Sequence, residues 1–232
     1  MSNSIKTIVF AAGLGLVCSI LLTAASTGLK SFQQKNIALD KQKNLLKSVG
    51  LVDSQQKYAA DRIEKLFSEN IKSVWVDSAG RIIQAPGPGE KDLPIYLYLK
   101  KNAIEAYIVP IDSRGLWGKI FGYLAIKNDG STVSGFSVYK HSETPGLGGE
   151  IERNWFQKNF VGKKIVNRQG DFASISIAKG TVNEIISKEK RLNYVDGISG
   201  ATLTGKFLSE GLKDVLLNYE SVSVRFRKNQ IR

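Results

Sequence analysis

Residues 199–207 read SGATLTGKF and set three hydroxyl side chains, Ser199, Thr202 and Thr204, around Gly200 and Gly205, just ahead of Lys206. Such a cluster can do three kinds of work. Glycine backbone and exposed amides can cradle a phosphate, a threonine oxygen can carry one covalently, or a hydroxyl can cap the start of a helix. Gly200 to Lys206 fits the phosphate-loop pattern G-x-x-x-x-G-K, but Phe207 stands where that pattern needs a magnesium-binding Ser or Thr. A nucleoside-triphosphate fold would also need more parallel strands after the loop, each with its crossover, and only about 26 residues remain. The helix-start reading places Thr202 or Thr204 as N-cap of a helix from Gly205 to about Tyr219, with Phe207, Leu208, Leu212, Val215 and Leu216 as its buried stripe. One cap needs one hydroxyl, and three crowd the turn. The positive end of that helix favours an anionic oxygen there.

Composition narrows the chemistry further. The 232 residues suit one principal domain with appendages. Thirty-three Lys and Arg against 21 Asp and Glu give a net charge of +12, which suits an anionic partner such as a phospholipid headgroup, a nucleic acid or a phosphorylated cofactor. A single Cys (Cys18) and a single His (His141) remove much of the usual catalytic repertoire, zinc clusters and intrachain disulfides above all; any metal site would have to be oxygen-rich, and none is assigned. His141 has no nucleophile or second ligand near it in sequence and reads as a surface or core residue.

The elements that must position the cluster begin with a membrane anchor. From Thr7 to Leu29 no side chain is charged, and about 23 residues at ~1.5 Å each exceed the ~30 Å hydrocarbon core. The rival is a cleaved signal peptide, for which the run is long although its TAAS stretch offers small residues for cleavage. Lys6 precedes the span while Lys30, Lys35, Lys41, Lys43 and Lys47 follow it, which by the positive-inside rule alone puts the domain in the cytoplasm. Residues 30–49 read as a partly amphipathic helix ending at Gly50, and a second helix runs from an Asp53/Ser54 cap to Phe67. The division is thus 1–29 anchor, 30–70 helical connection and 71–232 domain.

In the domain, KSVWVD and RIIQ flank Ser78-Ala79-Gly80, PIYLYL and AIEAYIV flank KKN, and KIFGYLAIK and TVSGFSVYK flank Asn128-Asp129-Gly130. These alternating runs about turn residues predict three antiparallel hairpins. A short helix around EIERNWFQKNF, a strand over 172–178 and the final helix complete an α+β fold, an antiparallel-sheet-rich domain with packed helices behind a single N-terminal transmembrane helix.

The stretch DGISGAT, Asp196 to Thr202, resembles the flavinylation motif Asp-x-x-Ser/Thr-Gly-Ala-Thr of the C subunit of the sodium-translocating NADH:quinone oxidoreductase and of the related G subunit of the Rnf electron-transport complex. RGLWGKIFGYLAI (114–126) and HSETPGLGGEI (141–151) are similar to the segments that precede the motif in the quinone-reductase protein, and favour it over its Rnf relative. The resemblance is weakest over 30–95. It implies FMN joined to Thr202 by a phosphoester bond, with Ser199, Gly200 and Ala201 around the attachment point and Asp196 as a recognition or base-assisting residue, or else a turn cap. It points for the flavin ring to Trp117, Glu143, Thr144 and Leu147. Lys179, after the SISIA run, is either a cation near the flavin or a solvated strand-end lysine. Read without the resemblance, Trp117 is a core residue and TPGLGG a turn.

The function so implied is an electron-transfer subunit of a sodium-pumping NADH:quinone oxidoreductase, with no NADH or quinone site of its own. It needs its membrane partner subunits and a flavin transferase for maturation, and its domain faces the periplasm, against the lysine count. The competing reading from another class is a membrane-tethered basic binding module without redox activity. Its aromatic residues are interleaved as strand cores, which counts against nucleic acid.

Overall fold

A computed structural model describes residues 3–53, 56–87 and 91–231. The chain divides into two compact units, one up to Asp40 and one from Lys41 onward. In the first, helix α1 (Asn3–Ser48) begins and carries an 18-residue window of mean hydropathy 2.4, long and apolar enough to cross a membrane. Polar side chains within it bond back to their own helix: Ser19 Oγ donates to the Gly15 carbonyl at 2.8 Å and Thr23 Oγ1 to the Ser19 carbonyl at 2.7 Å. That pairing is what a hydroxyl needs in a medium without water.

The last turns of α1 belong to the second unit. Gly50 takes a φ of +74°, and the amides of Gly50 and Leu51 return to the carbonyls of Lys47 and Leu46 at 3.0 Å each. This is a Schellman cap, so the helix stops where the glycine predicts. Leu45 and Leu46 are buried, and Ser137 Oγ donates to the Asn44 carbonyl at 3.0 Å. A Cβ at Gly135 would run into the Ser48 carbonyl, so the helix end lies directly on strand backbone.

Helix α2 spans Ala60–Asn70 and not the stretch from Asp53. The Asp53 amide instead donates to Tyr58 Oη at 3.3 Å, Ala59 precedes the helix in extended conformation without a side-chain cap, and Ser54 lies outside the described residues.

The three predicted hairpins form. Strands β1 (Ile71–Val76), β2 (Ile82–Ile83), β3 (Leu93–Lys100), β4 (Ala103–Arg114), β5 (Lys119–Lys127) and β6 (Val133–Lys140) make one antiparallel sheet in the order β2-β1-β3-β4-β5-β6. Alternation along β4 buries Tyr107, Val109 and Ile111 in a cluster with Leu208, Leu212 and Leu216, which recur every four residues on the C-terminal helix. Two periodicities thus meet across one core, and burying each such side chain stabilises by about 1.5–3 kcal/mol.

Past β6 the regular elements are short. A 3₁₀ turn over Gly148–Glu152 precedes α3 (Asn154–Lys158), so the helix expected around EIERNWFQKNF is broken at Arg153. The strand expected over 172–178 shrinks to β7 (Ser176–Ile177), because Ser174 has a φ of +59° and ends the extended run. Helix α4 (Val182–Ile185) follows, and β7 pairs in parallel with β8 (Tyr194–Val195). The last helix predicted from sequence, α5, spans Thr202–Asn218 and starts earlier than expected. An unanticipated α6 (Glu220–Arg227) packs Phe226 on Tyr107, ring centroids 4.5 Å apart, beside a 2.7 Å bond from Tyr107 Oη to Ser223 Oγ.

Candidate functional site

Three separate segments meet at the start of α5. The β4–β5 register ends at Arg114↔Lys119, leaving Gly115–Gly118 as a tight turn closed by a 2.6 Å bond from the Gly115 amide to the Gly118 carbonyl. The second segment is the loop 141–148, folded by bonds from the amides of Leu147 and Gly149 to the Thr144 carbonyl at 3.2 and 2.9 Å. The third is the first turn of α5. Between them lies a cavity of about 350 Å³ lined by Leu116, Trp117, Glu143, Thr144, Leu147, Gly148 and the run Gly200 to Thr204.

Glu143 ties the segments together. It is only 4% exposed; its Oε1 accepts the Trp117 backbone N–H at 3.0 Å and its Oε2 accepts the Thr204 hydroxyl at 2.5 Å. The Glu143 amide in turn donates to His141 Nδ1 at 3.1 Å, and His141 Nε2 lies 3.3 Å from Glu152 Oε2. The lone histidine therefore shapes the loop. A Cβ at Gly148 would fall 2.5 Å from Thr204 Oγ1 and 2.8 Å from Glu143 Oε2, so only glycine leaves room for this bond.

Neither threonine caps α5. Ala201 is the N-cap residue and provides no side-chain bond; Thr202 is the first helical residue and exposed, whereas Thr204 is 1% exposed with its proton committed to Glu143. Among the described residues no helical or side-chain cap acceptor meets the first-turn amides, which makes this end receptive to an anionic oxygen. Trp117 is not core: it is 69% exposed, and Leu116, Leu147 and Leu203 are exposed beside it on the lining.

Of the residues singled out from sequence, Trp117, Glu143, Thr144, Leu147, Gly200, Ala201 and Thr202 line this cavity, and Asp196, Ser199 and Lys179 do not. Asp196 Oδ1 accepts the Val182 amide at 2.7 Å at the head of α4, which is the turn-capping alternative in physical form. Its charge also faces Lys163, whose ammonium is held below the usual lysine range by burial, with Asp196 pulling the other way. Ser199 and Lys179 are exposed. Sequence reasoning missed Gly148, Leu116 and Leu203, and it named Thr204 only as a hydroxyl of the cluster and a candidate cap. The leucines adjoin named residues, but no local pattern marks Thr204 as the partner of a carboxylate 61 positions earlier.

A cavity that combines exposed apolar side chains with a helix N-terminus suits a flat ring carrying a phosphate, and the match to known proteins is of that class. The model of the FMN-binding domain family matches residues 115–217. The C subunit of the Na(+)-translocating NADH-quinone reductase of Vibrio campbellii is 34% identical, covering 86% of this chain and 85% of its own length. Its counterpart from Pseudomonas aeruginosa is 31% identical, covering 88% of each chain. The crystal structure of the same protein from Parabacteroides distasonis superposes with a TM-score of 0.70 at 29% identity, over 84% of this chain and 96% of that one. The chain belongs to the family of C subunits of the Na(+)-translocating NADH-quinone reductase, a component of an oxidoreductase that carries an FMN-binding domain.

Proposed function

We propose that this chain is a membrane-anchored flavoprotein subunit that holds FMN through a phosphoester to Thr202 and passes electrons within a sodium-pumping NADH:quinone oxidoreductase. The observation that carries the reading is the contrast between two threonines on one helical turn: Thr202 stands exposed at the cavity, and Thr204 is buried with its hydroxyl engaged by Glu143. FMN, when bound, supplies the redox chemistry. The protein's part is placement. The first turn of α5 offers amides and dipole to the phosphate end, and Trp117, Leu116 and Leu147 offer apolar surface that excludes water from the ring end.

A threonine hydroxyl is a weak nucleophile without a neighbouring base, and the Thr202 hydroxyl is not the one engaged by the buried carboxylate, so attachment calls for a separate flavin transferase. Asp196, half-buried six residues before Thr202, is the residue such an enzyme would read. The electron donor and acceptor are other membrane subunits of the complex, and the domain faces the periplasm, large domains being poorly governed by flanking lysines.

The test is mass spectrometry and in-gel fluorescence of the chain produced together with a flavin transferase. A denatured fluorescent band that disappears in Thr202→Ala and persists in Thr204→Ser is expected. A dark wild-type band would leave a basic tethered binding module as the better account.

A further inference from the structure

We infer that Glu143 is the fixed charge that sets the reduction potential of the flavin in this cavity, and that Thr204 is the residue that positions it. The inference rests on the FMN reading above. Among the residues lining the cavity, Glu143 alone has an ionisable side chain. Both of its oxygens are engaged by uncharged donors, the Trp117 backbone amide and the Thr204 hydroxyl. Glycine backbone closes over each of them: a Cβ at Gly115 would lie 2.5 Å from Oε1 and one at Gly148 2.8 Å from Oε2. His141 meets this residue through the backbone amide only and turns its other nitrogen to Glu152. Among the described residues no cation is ion-paired with Glu143.

In a chain of net charge +12, the side chains lining this cavity thus offer one carboxylate and no cation to pair with it. Lys179, the candidate for a cation near the flavin, is not on its lining. Each electron taken up by the ring, unless a proton follows it, adds one negative charge beside this carboxylate, where the buried setting weakens screening. The field therefore disfavours reduction and holds the potential below that of the same flavin in a neutral cavity.

Glu143→Gln removes the charge and keeps the bonds. Its amide oxygen can accept from Trp117 while its NH₂ donates to the Thr204 oxygen, since a hydroxyl accepts as well as donates. The experiment is a spectroelectrochemical titration of the detergent-purified full chain, co-produced with a flavin transferase, at fixed pH and ionic strength. Covalent flavin is scored separately on denaturing gels. Glu143→Gln is expected to shift the midpoint to more positive potential, favouring the first electron roughly tenfold. Thr204→Ser should leave the midpoint in place. Thr204→Val, which strips one donor and lets the carboxylate turn toward water, should move it in the positive direction.

A flavin-loaded Glu143→Gln whose midpoint is unchanged or more negative overturns the inference. Should Glu143→Gln not fold, coincident midpoints for Thr204→Ser and Thr204→Val overturn it equally. Absence of covalent flavin from the wild type would refute the attachment reading instead; the same titrations with added FMN then decide the charge effect by the sign of the shift.

Discussion

Two glycines of the loop 141–148 look alike in sequence and make different demands, which a pair of alanine substitutions separates. A methyl at Gly148 would sit 2.5 Å from Thr204 Oγ1, 2.8 Å from Glu143 Oε2 and 3.1 Å from Glu143 Cβ. Ordinary carbon contacts need about 3.5 Å, so something must yield by most of an ångström. Forcing an extra carbon into a tight site costs about 1–3 kcal/mol, and opening the bond to the buried carboxylate costs about 1.5–3 kcal/mol. Relaxation shares the two, so Gly148→Ala should lose about 3 kcal/mol. A unit of this size falls by about 2–4 °C per kcal/mol, which makes the expected drop in Tm about 6–12 °C. Gly146, with a φ of +74°, has nothing within 4 Å of its would-be Cβ. Gly146→Ala pays only for left-handed backbone, about 1 kcal/mol or about 2–4 °C. Thermal melts of the detergent-solubilised chain, followed by near-ultraviolet circular dichroism, measure both. A Gly148→Ala melt within about 2 °C of wild type, or a lower melt for Gly146→Ala, would refute the crowding argument.

Other outcomes follow from the same geometry. Asp196→Asn keeps an acceptor for the Val182 amide, so stability should hold while gel fluorescence drops if the carboxylate serves flavin attachment; Asp196→Ala should in addition lose about 1 kcal/mol in urea titration. Gly135→Ala places a methyl against the Ser48 carbonyl and should loosen the end of α1, read as faster proteolysis near Gly50. The Asp77 carboxyl is held below the usual range by the Arg81 backbone N–H first, then by the Arg81 guanidinium and the Ala79 amide, with desolvation opposing. Its contribution is therefore present above about pH 4 and lost as pH falls through the lower folded value. Asp77→Asn should lower the urea midpoint at pH 7 and flatten its decline between about pH 5 and 3.

The hairpins were legible because each is a local event: alternating apolar residues on either side of a turn such as Asn128-Asp129-Gly130 leave one register open. Gly50 announced the end of α1 for the same reason, since its φ is needed by the cap and by nothing distant. The start of α5 was misjudged by three residues because Thr204 looked like a cap, whereas tertiary contact with Glu143 claims its hydroxyl and lets the helix run back to Thr202. Ser174 broke a promising strand through a backbone angle that the alternation of FASISIA does not reveal. Trp117 read as core on residue type alone, and its exposure follows from its place in the Gly115–Gly118 turn. Motif resemblance had named seven of the residues that line the cavity, and the wiring between them was not visible in it.

Because the carboxylate that joins the three segments bonds Trp117 on one side and Thr204 on the other, the cradle cannot exist in any nascent chain that stops short of α5. All of it comes into being when the last thirty-odd residues of the 232 settle onto the sheet. On the proposed attachment, an enzyme acting on Thr202 in this setting would meet a finished protein, and the modification would double as a record that synthesis and folding were completed.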